Sequence, residues 1–333
     1  MREEELERRQ RPRQRSRQIV RQTPRRHRLR WFLFGLMAGV LFTVNGLGYM
    51  AGNRIYEEIS DPRRNAEVLG IMNRSAELET IHAYETRQHG ERIQLERDGV
   101  RLTGTFVDNG SPDTVLLLHG LYQNRTMLIP YARIYLRQGY NVLLADSRGH
   151  GESGGVITWG IEEVKDIEQW LTWLRQEKGA GRIGVHGISL GGAYAVLHSG
   201  LGREVADFYV SDSAYADFRS LYDIHIGSKA RLTADSYAAK GLWLYCNAAM
   251  LVHTGAVFSQ VSPAEAVRSA SRPMLFLHGG QDALVPEEAA HLLYEACGSS
   301  QKELDILEHA AHAQGLSEGS DYAGYIRAFL QRI

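Results

Sequence analysis

The sequence predicts an α/β fold, a mostly parallel central sheet with helices on both faces. Three observations carry this. Short continuous apolar runs recur at 114–118, 141–145, 182–186, 207–210 and 274–277. Each is followed by a Gly-rich or polar turn, and then by a stretch with helical patterning. Runs this short and uniformly apolar suit strands buried on both faces, and their alternation with helices suits parallel pairing through crossovers. The chain has 333 residues, 44% of them hydrophobic, enough for one large core with appendages.

The N-terminal elements are of another kind. Residues 1–30 carry twelve Arg and four Glu, a net of +8, while the remaining 26 basic and 35 acidic residues leave 31–333 at −9. The overall charge of −1 therefore describes neither part. From 31 to 53 run 23 residues without a charge. At ~1.5 Å per residue such a helix crosses a hydrocarbon core of ~30 Å. Trp31 and Tyr49 stand where interfacial aromatics are expected. The long basic leader and the lack of a clean Ala-x-Ala site predict an uncleaved transmembrane anchor rather than a signal peptide. Twelve Arg precede the run, and only Arg54, Arg63 and Arg64 follow it closely. This asymmetry predicts a single-pass protein of the cell membrane, with a cytoplasmic N-terminus and the C-terminal domain across the membrane. The leader then serves topology and contact with anionic lipid, not nucleic acid. Gly35 and Gly39 form a G-x-x-x-G of the kind that lets spans pair. Residues 54–90, polar with scattered apolar positions, read as a juxtamembrane helical linker.

The domain proper occupies 91–333. It opens with two alternating segments, 93–97 and 100–106, joined by Asp98-Gly99, a hairpin signal. Its most telling stretch is Ile183-Gly-Val-His-Gly-Ile-Ser-Leu-Gly-Gly, which places Ser189 at a sharp turn between a strand and a helix at 190–198. The pattern G-x-S-x-G also occurs around Ser153 and Ser317, but Ser153 sits in a polar loop and Ser317 follows no strand. Only Ser189 has the context a nucleophile needs, with the backbone aiming the hydroxyl. A serine of this kind requires a base, an orienting acid and oxyanion donors, gathered at the carboxyl ends of the strands. The backbone N–H groups of Leu121, after the strand ending in His119-Gly120, and of Leu190 are the expected oxyanion donors. His119 reads as a structural residue of that loop. Asp282, after the run 274–277, is the expected acid, with Asp212 as competitor. His312 is the expected base, on the loop between a strand at 304–308 and a terminal helix at 322–332, with His309 as competitor. Neither the two cysteines, Cys246 and Cys297, nor any Cys/His pattern points to a metal. The cysteines read as buried thiols, although one bridge between them stays open. The stretch 213–263 interrupts the sheet pattern and is rich in aromatics, including Tyr215, Phe218, Tyr222, Tyr237, Trp243, Tyr245 and Phe258. It is the expected helical cap over the site.

These motifs in this order resemble the α/β-hydrolases, in particular bacterial membrane-anchored serine hydrolases of the serine aminopeptidase (S33) and lysophospholipase-like groups. The resemblance rests on Leu118-His-Gly-Leu, Asp146-Ser-Arg-Gly-His-Gly-Glu-Ser-Gly-Gly, Gly187-Ile-Ser-Leu-Gly-Gly, Asp212-Ser-Ala-Tyr, Leu277-His-Gly-Gly-Gln-Asp and Ala310-Ala-His-Ala. It spans residues 91–333. It implies an α/β-hydrolase fold, a triad of Ser189, Asp282 and His312, and no cofactor. The expected activity is hydrolysis of a carboxylic (acyl) ester substrate, lipid-like in character. A peptidase or acyltransferase using the same triad, or a non-catalytic binding protein on the same fold, are the alternatives. Fold membership fixes machinery and not substrate.

Overall fold

The computed structural model describes residues 25–61, 74–203, 206–223, 232–233, 235–316 and 321–333. The basic leader up to residue 24, part of the linker (62–73), parts of the cap (224–231 and 234) and Ser317 lie outside the described residues. The chain divides into two units, Met1–Leu47 and Gly48–Ile333.

Within the first unit the described residues are helical. They belong to α1, Arg25–Ser60, whose apolar side chains there, such as Trp31 and Phe42, are exposed. This helix is long and apolar enough to cross a membrane. It does not stop where the uncharged run stops at Asn53. It continues for two further turns, through residues 54–60, within the second unit.

The second unit is built on an eight-stranded sheet. The strands are β1 (Glu91–Arg97), β2 (Val100–Val107), β3 (Thr114–Leu118), β4 (Asn141–Ala145), β5 (Ile183–Ile188), β6 (Phe208–Asp212), β7 (Met274–Gly279) and β8 (Lys302–Leu307). Their order is β1-β2-β4-β3-β5-β6-β7-β8. The hairpin β1–β2 and the β2–β4 pair are antiparallel, and every other pairing is parallel. At the hairpin tip Asp98 and Gly99 take φ of 51° and 74°, the double left-handed conformation of a type I′ turn.

The helices are α2 (Arg74–Gln88), α3 (Ile129–Arg137), α4 (Glu163–Glu177), α5 (Leu190–Leu201), α6 (Tyr237–Thr254), α7 (Glu288–Ala296) and α8 (Tyr322–Arg332). Strand β3 shows why both faces of the sheet must be covered. Its residues alternate between two cores, as the period of a strand dictates. Leu116 and Leu118 join Trp170 and Leu174 of α4 and Tyr194 of α5. Val115 and Leu117 join Tyr135 of α3 and Ile326 and Phe329 of α8. Each such buried side chain contributes roughly 1.5–3 kcal/mol relative to exposure. Cys246 and Cys297 are free and buried, with no bridge between them.

Candidate active site

Ser189 stands between the last residue of β5 and the first of α5, with φ 56° and ψ −114°. An L-residue in that conformation is strained by about 1–3 kcal/mol and persists only where its surroundings hold it. Its N–H donates to the Asp212 carbonyl (2.7 Å), and its carbonyl accepts from Ala193 N–H (2.9 Å). The two flanking glycines are steric requirements. A Cβ on Gly187 would overlap the Gly191 carbonyl, and one on Gly191 would overlap the Leu118 carbonyl. The turn can therefore be tight enough to expose the serine only with hydrogen at both positions.

Three side chains from distant parts of the chain meet here. Ser189 Oγ lies 2.7 Å from His312 Nε2, and His312 Nδ1 lies 2.7 Å from Asp282 Oδ2. Asp282 follows β7, and its Oδ1 accepts from the Leu284 and Val285 N–H groups (2.9 and 2.8 Å). Burial pushes the Asp282 carboxyl pKa up. Hydrogen bonds from His278, His312 and the Val285 amide outweigh this and hold it well below the usual carboxylate range. His278 Nε2 donates to the Val285 carbonyl at 2.8 Å and stands 3.4 Å from Asp282 Oδ2. The loop bearing His312 is tied back by Gln281 N–H to the Ala310 carbonyl (3.0 Å) and by Ala313 N–H to Ser213 Oγ (3.2 Å).

The competitors are placed elsewhere. Asp212 is buried and accepts from the Ser213 and Tyr322 hydroxyls, each at 2.8 Å. Its pKa is raised by burial, a shift those two bonds only partly offset. Its backbone holds the elbow, while its carboxylate oxygens are taken up by Ser213 and Tyr322. His309 is exposed on the loop. His119 is buried and bridges its loop, with Nδ1–H donating to the Gly120 carbonyl (2.8 Å) and Nε2 accepting from Ser147 N–H (3.0 Å). Burial lowers its pKa. That loop abuts the elbow: a Cβ on Gly120 would stand 3.3 Å from Ser189 Cβ, and Leu121 lines the same cavity as Ser189. Leu190 opens α5 directly after the serine. Ser153 is a buried fastener whose Oγ donates to the Asp146 carbonyl (2.7 Å) and accepts from Thr103 N–H (2.8 Å). Among the described residues no cluster of three or more His, Cys, Asp or Glu could hold a metal ion.

Ser189 and His312 open onto a cavity of about 630 Å³. Its walls are mainly apolar, with Leu121, Met127, Phe218 and Leu221 on one part and Ile55 and Ile59 of α1 on another. Four of the seven non-glycine residues with positive φ among the described residues, Tyr122, Trp159, Ser189 and Ala313, line it. Backbone strain is thus concentrated at this cavity, as it is at functional sites generally.

The sequence model described as X-Pro dipeptidyl-peptidase (S15 family) matches residues 63–240, more than half of the chain. The model described as serine aminopeptidase, S33, matches residues 222–315. The chain belongs to the α/β-hydrolase superfamily. Among curated proteins this hydrolase is similar to the uncharacterized protein YqkD of Bacillus subtilis, 29% identical over 230 residues, covering 67% of this chain and 72% of that one. It is also similar to the uncharacterized membrane protein YNL320W of Saccharomyces cerevisiae, 25% identical over 244 residues, covering 71% and 77%. Among solved structures it resembles the Pyrococcus furiosus esterase Pf2001, with a TM-score of 0.59 and 26% identity, covering 74% of this chain and 93% of that one.

Within the hydrolase, the cap aromatics divide their work. Phe218 and Tyr222 line the cavity. Phe258 stacks on Phe218 with ring centres 4.0 Å apart, and Trp243 stands 4.8 Å from Tyr222. Tyr237 is exposed, and Tyr245 packs against Gly48 of α1. Sequence reasoning misses Trp159 and the α1 residues Ile55, Glu58 and Ile59. A signal for the latter exists: Gly48, Gly52, Tyr56 and Ile55, Ile59 recur at four-residue spacing, one helical stripe crossing the point where charge resumes.

Proposed function

We propose that this hydrolase is a membrane-anchored serine hydrolase that cleaves an acyl ester through a covalent acyl-enzyme. One observation carries the reading: the continuous line of short contacts from Ser189 Oγ through the His312 imidazole to Asp282, 2.7 Å at each step. His312 Nε2 takes the hydroxyl proton as Oγ attacks the acyl carbon. Asp282 fixes the ring with Nδ1–H toward itself and stabilises the imidazolium. The N–H groups of Leu121 and Leu190 receive the charge that develops on the carbonyl oxygen. The imidazolium then protonates the departing alcohol. Water, deprotonated by the same Nε2, attacks the acyl carbon, and the acid leaves with Ser189 restored. Similarity to the Pyrococcus furiosus esterase supports the ester reading.

The anchor reading is supported by the length and composition of α1 and by similarity to a protein named a membrane protein. The Arg-rich leader favours a cytoplasmic N-terminus, which sets the catalytic unit on the other side of the cell membrane. Ser189→Ala is expected to abolish both turnover of an activated short-chain ester and labelling by a fluorophosphonate. Labelling that persists in the variant assigns the nucleophile elsewhere.

A second reading, peptidase action by the same triad, draws on the S15 and S33 family descriptions. Parallel assays with X-Pro anilides and acyl esters separate the two. A higher kcat/KM for the anilides would favour the peptidase.

A further inference from the structure

The catalytic cavity has one wall that does not come from the sheet, its loops or its cap. Ile55, Glu58 and Ile59, from the last turns of α1, line the same cavity as Ser189. This stretch is firmly seated in the catalytic unit. Tyr56 is buried, stacks on His253 with ring centres 4.8 Å apart, and lies 6.4 Å from Phe258. Asn53 Oδ1 accepts from His253 Nε2–H (2.8 Å), and Trp159 Nε1–H donates to Ser60 Oγ (3.0 Å). Gly52 lies so close to α6 that an added Cβ would stand 2.8 Å from the Cys246 nitrogen. Small residues that let two backbones approach this closely mark a built helix–helix interface.

Gly48, Gly52 and Asn53 also belong to the uncharged run. Ile55 follows Asn53 by two residues and Ile59 by six, an axial rise of only ~3 Å and ~9 Å. The cavity wall therefore begins where the membrane-compatible sequence ends. Helix α6, which grips Gly48 and Gly52, turns Leu244, Leu251 and Val252 outward, with exposures of 64%, 50% and 69%. Their i, i+7, i+8 spacing makes one apolar stripe. These exposed apolar side chains stand on the helix that packs against Gly48 and Gly52.

We infer that the end of α1 is the specificity wall of this enzyme, and that the substrate class it selects is a long-chain acyl ester resident in the bilayer, its acyl chain lying along Ile55 and Ile59. This rests on the reading of Ser189 as nucleophile and of α1 as the span. The apolar character of the cavity, its volume and its place at the foot of the uncharged run all serve such a substrate. A water-soluble short-chain ester would leave the Ile55–Ile59 wall unfilled.

The test uses the full-length protein in phosphatidylcholine vesicles and compares p-nitrophenyl palmitate with p-nitrophenyl butyrate. Fluorophosphonate labelling is run on every preparation. The wild type is expected to prefer the palmitate. Ile59→Trp and Ile55→Trp, which fill the groove, are expected to lower the palmitate-to-butyrate ratio of kcat/KM by about tenfold or more. Ile59→Ala, which widens the groove and is the milder change for folding, is expected to move the preferred chain length without loss of labelling. If labelling is normal and none of the three variants changes the ratio, the wall assignment is wrong while the triad stands. If the wild type prefers butyrate, the substrate class is wrong. If the wild type fails to label, the nucleophile assignment falls, and this inference with it.

Discussion

At the scale of single residues, the chemistry depends on how two buried carboxylates are treated by their surroundings. Asp282 is held as an anion by the hydrogen bonds it receives, whereas Asp212 is pushed toward its neutral form by burial. On the proposed mechanism, Asp282→Asn keeps the shape but removes the charge that orients His312 and stabilises its protonated form. Its kcat is expected to fall on the order of 10⁴-fold, measured with a short-chain ester at neutral pH. Asp212 has the opposite signature. With a raised folded pKa it binds more protons in the folded state than in the unfolded one. Stability is then lost as pH rises from the ordinary carboxylate value through the raised one. Asp212→Asn removes that loss. The melting temperature of the wild type, relative to the variant, is expected to decline as pH rises above about 4. A difference that stays flat with pH would count against it. Asp212 ends β6 and Asp282 follows the end of β7 by three residues, and both precede small residues, so sequence pattern alone does not choose between them. The choice is made by which loop reaches His312, a long-range fact. Ser189 is legible because its requirements are local: an apolar strand, a glycine on each side and a helix start. His309 and His312 differ only in which of two neighbouring loop positions turns inward, and that is decided by ties to Gln281 and Ser213 from other loops.

At the scale of elements, β3, β4 and β7 are built on largely apolar runs because strands buried on both faces favour apolar residues. The first hairpin is equally plain, since Asp-Gly supplies both positive φ values. The end of α1 is harder to read. Arg54, Glu57 and Glu58 mark the end of an uncharged run, and charge is the usual sign that a span has ended. The helix nevertheless continues because its other face finds a partner: Gly48 and Gly52 fit α6, and Tyr56 fits the His253–Phe258 cluster. Gly52→Leu forces a branched side chain into the Tyr245–Cys246 backbone. It is expected to cost about 3 kcal/mol or more, read as a lower melting temperature of the detergent-solubilised protein. An unchanged melting temperature would mean that this helix pair does not bear on stability.

At the scale of the whole catalytic unit, a buried ionic knot fastens the edge of the sheet to what precedes it. The Arg125 side chain is 3% exposed. It pairs with Asp146 and with Glu152 (2.5 Å), donates to Thr105 Oγ1 (3.0 Å) and stands 3.6 Å from Glu85 of α2. The loop 146–155, whose glycines and serine imitate a second elbow, is thus a structural knot. Arg125→Met leaves three carboxylates facing one another without their cation. A loss of roughly 3–5 kcal/mol is expected in urea melts. A variant as stable as the wild type would show that the carboxylates become protonated or hydrated without penalty. Such knots are invisible to periodicity arguments, because the partners are dispersed over α2, β2 and the loop 146–155, and each carboxylate alone reads as an ordinary surface charge.

The seating of the last turns of α1 has a practical corollary for anyone trimming this protein. A cut at residue 54 looks natural on a hydropathy plot, yet it discards Gly48 and Gly52, the clasp that fixes the remaining stub. A scissile site there, whether chosen by an experimenter or by a protease, would yield a fragment whose cavity wall at Ile55 and Ile59 has lost the packing that seats it. On the proposed reading of α1 as both tether and cavity wall, shedding the domain and blunting its selectivity are a single event.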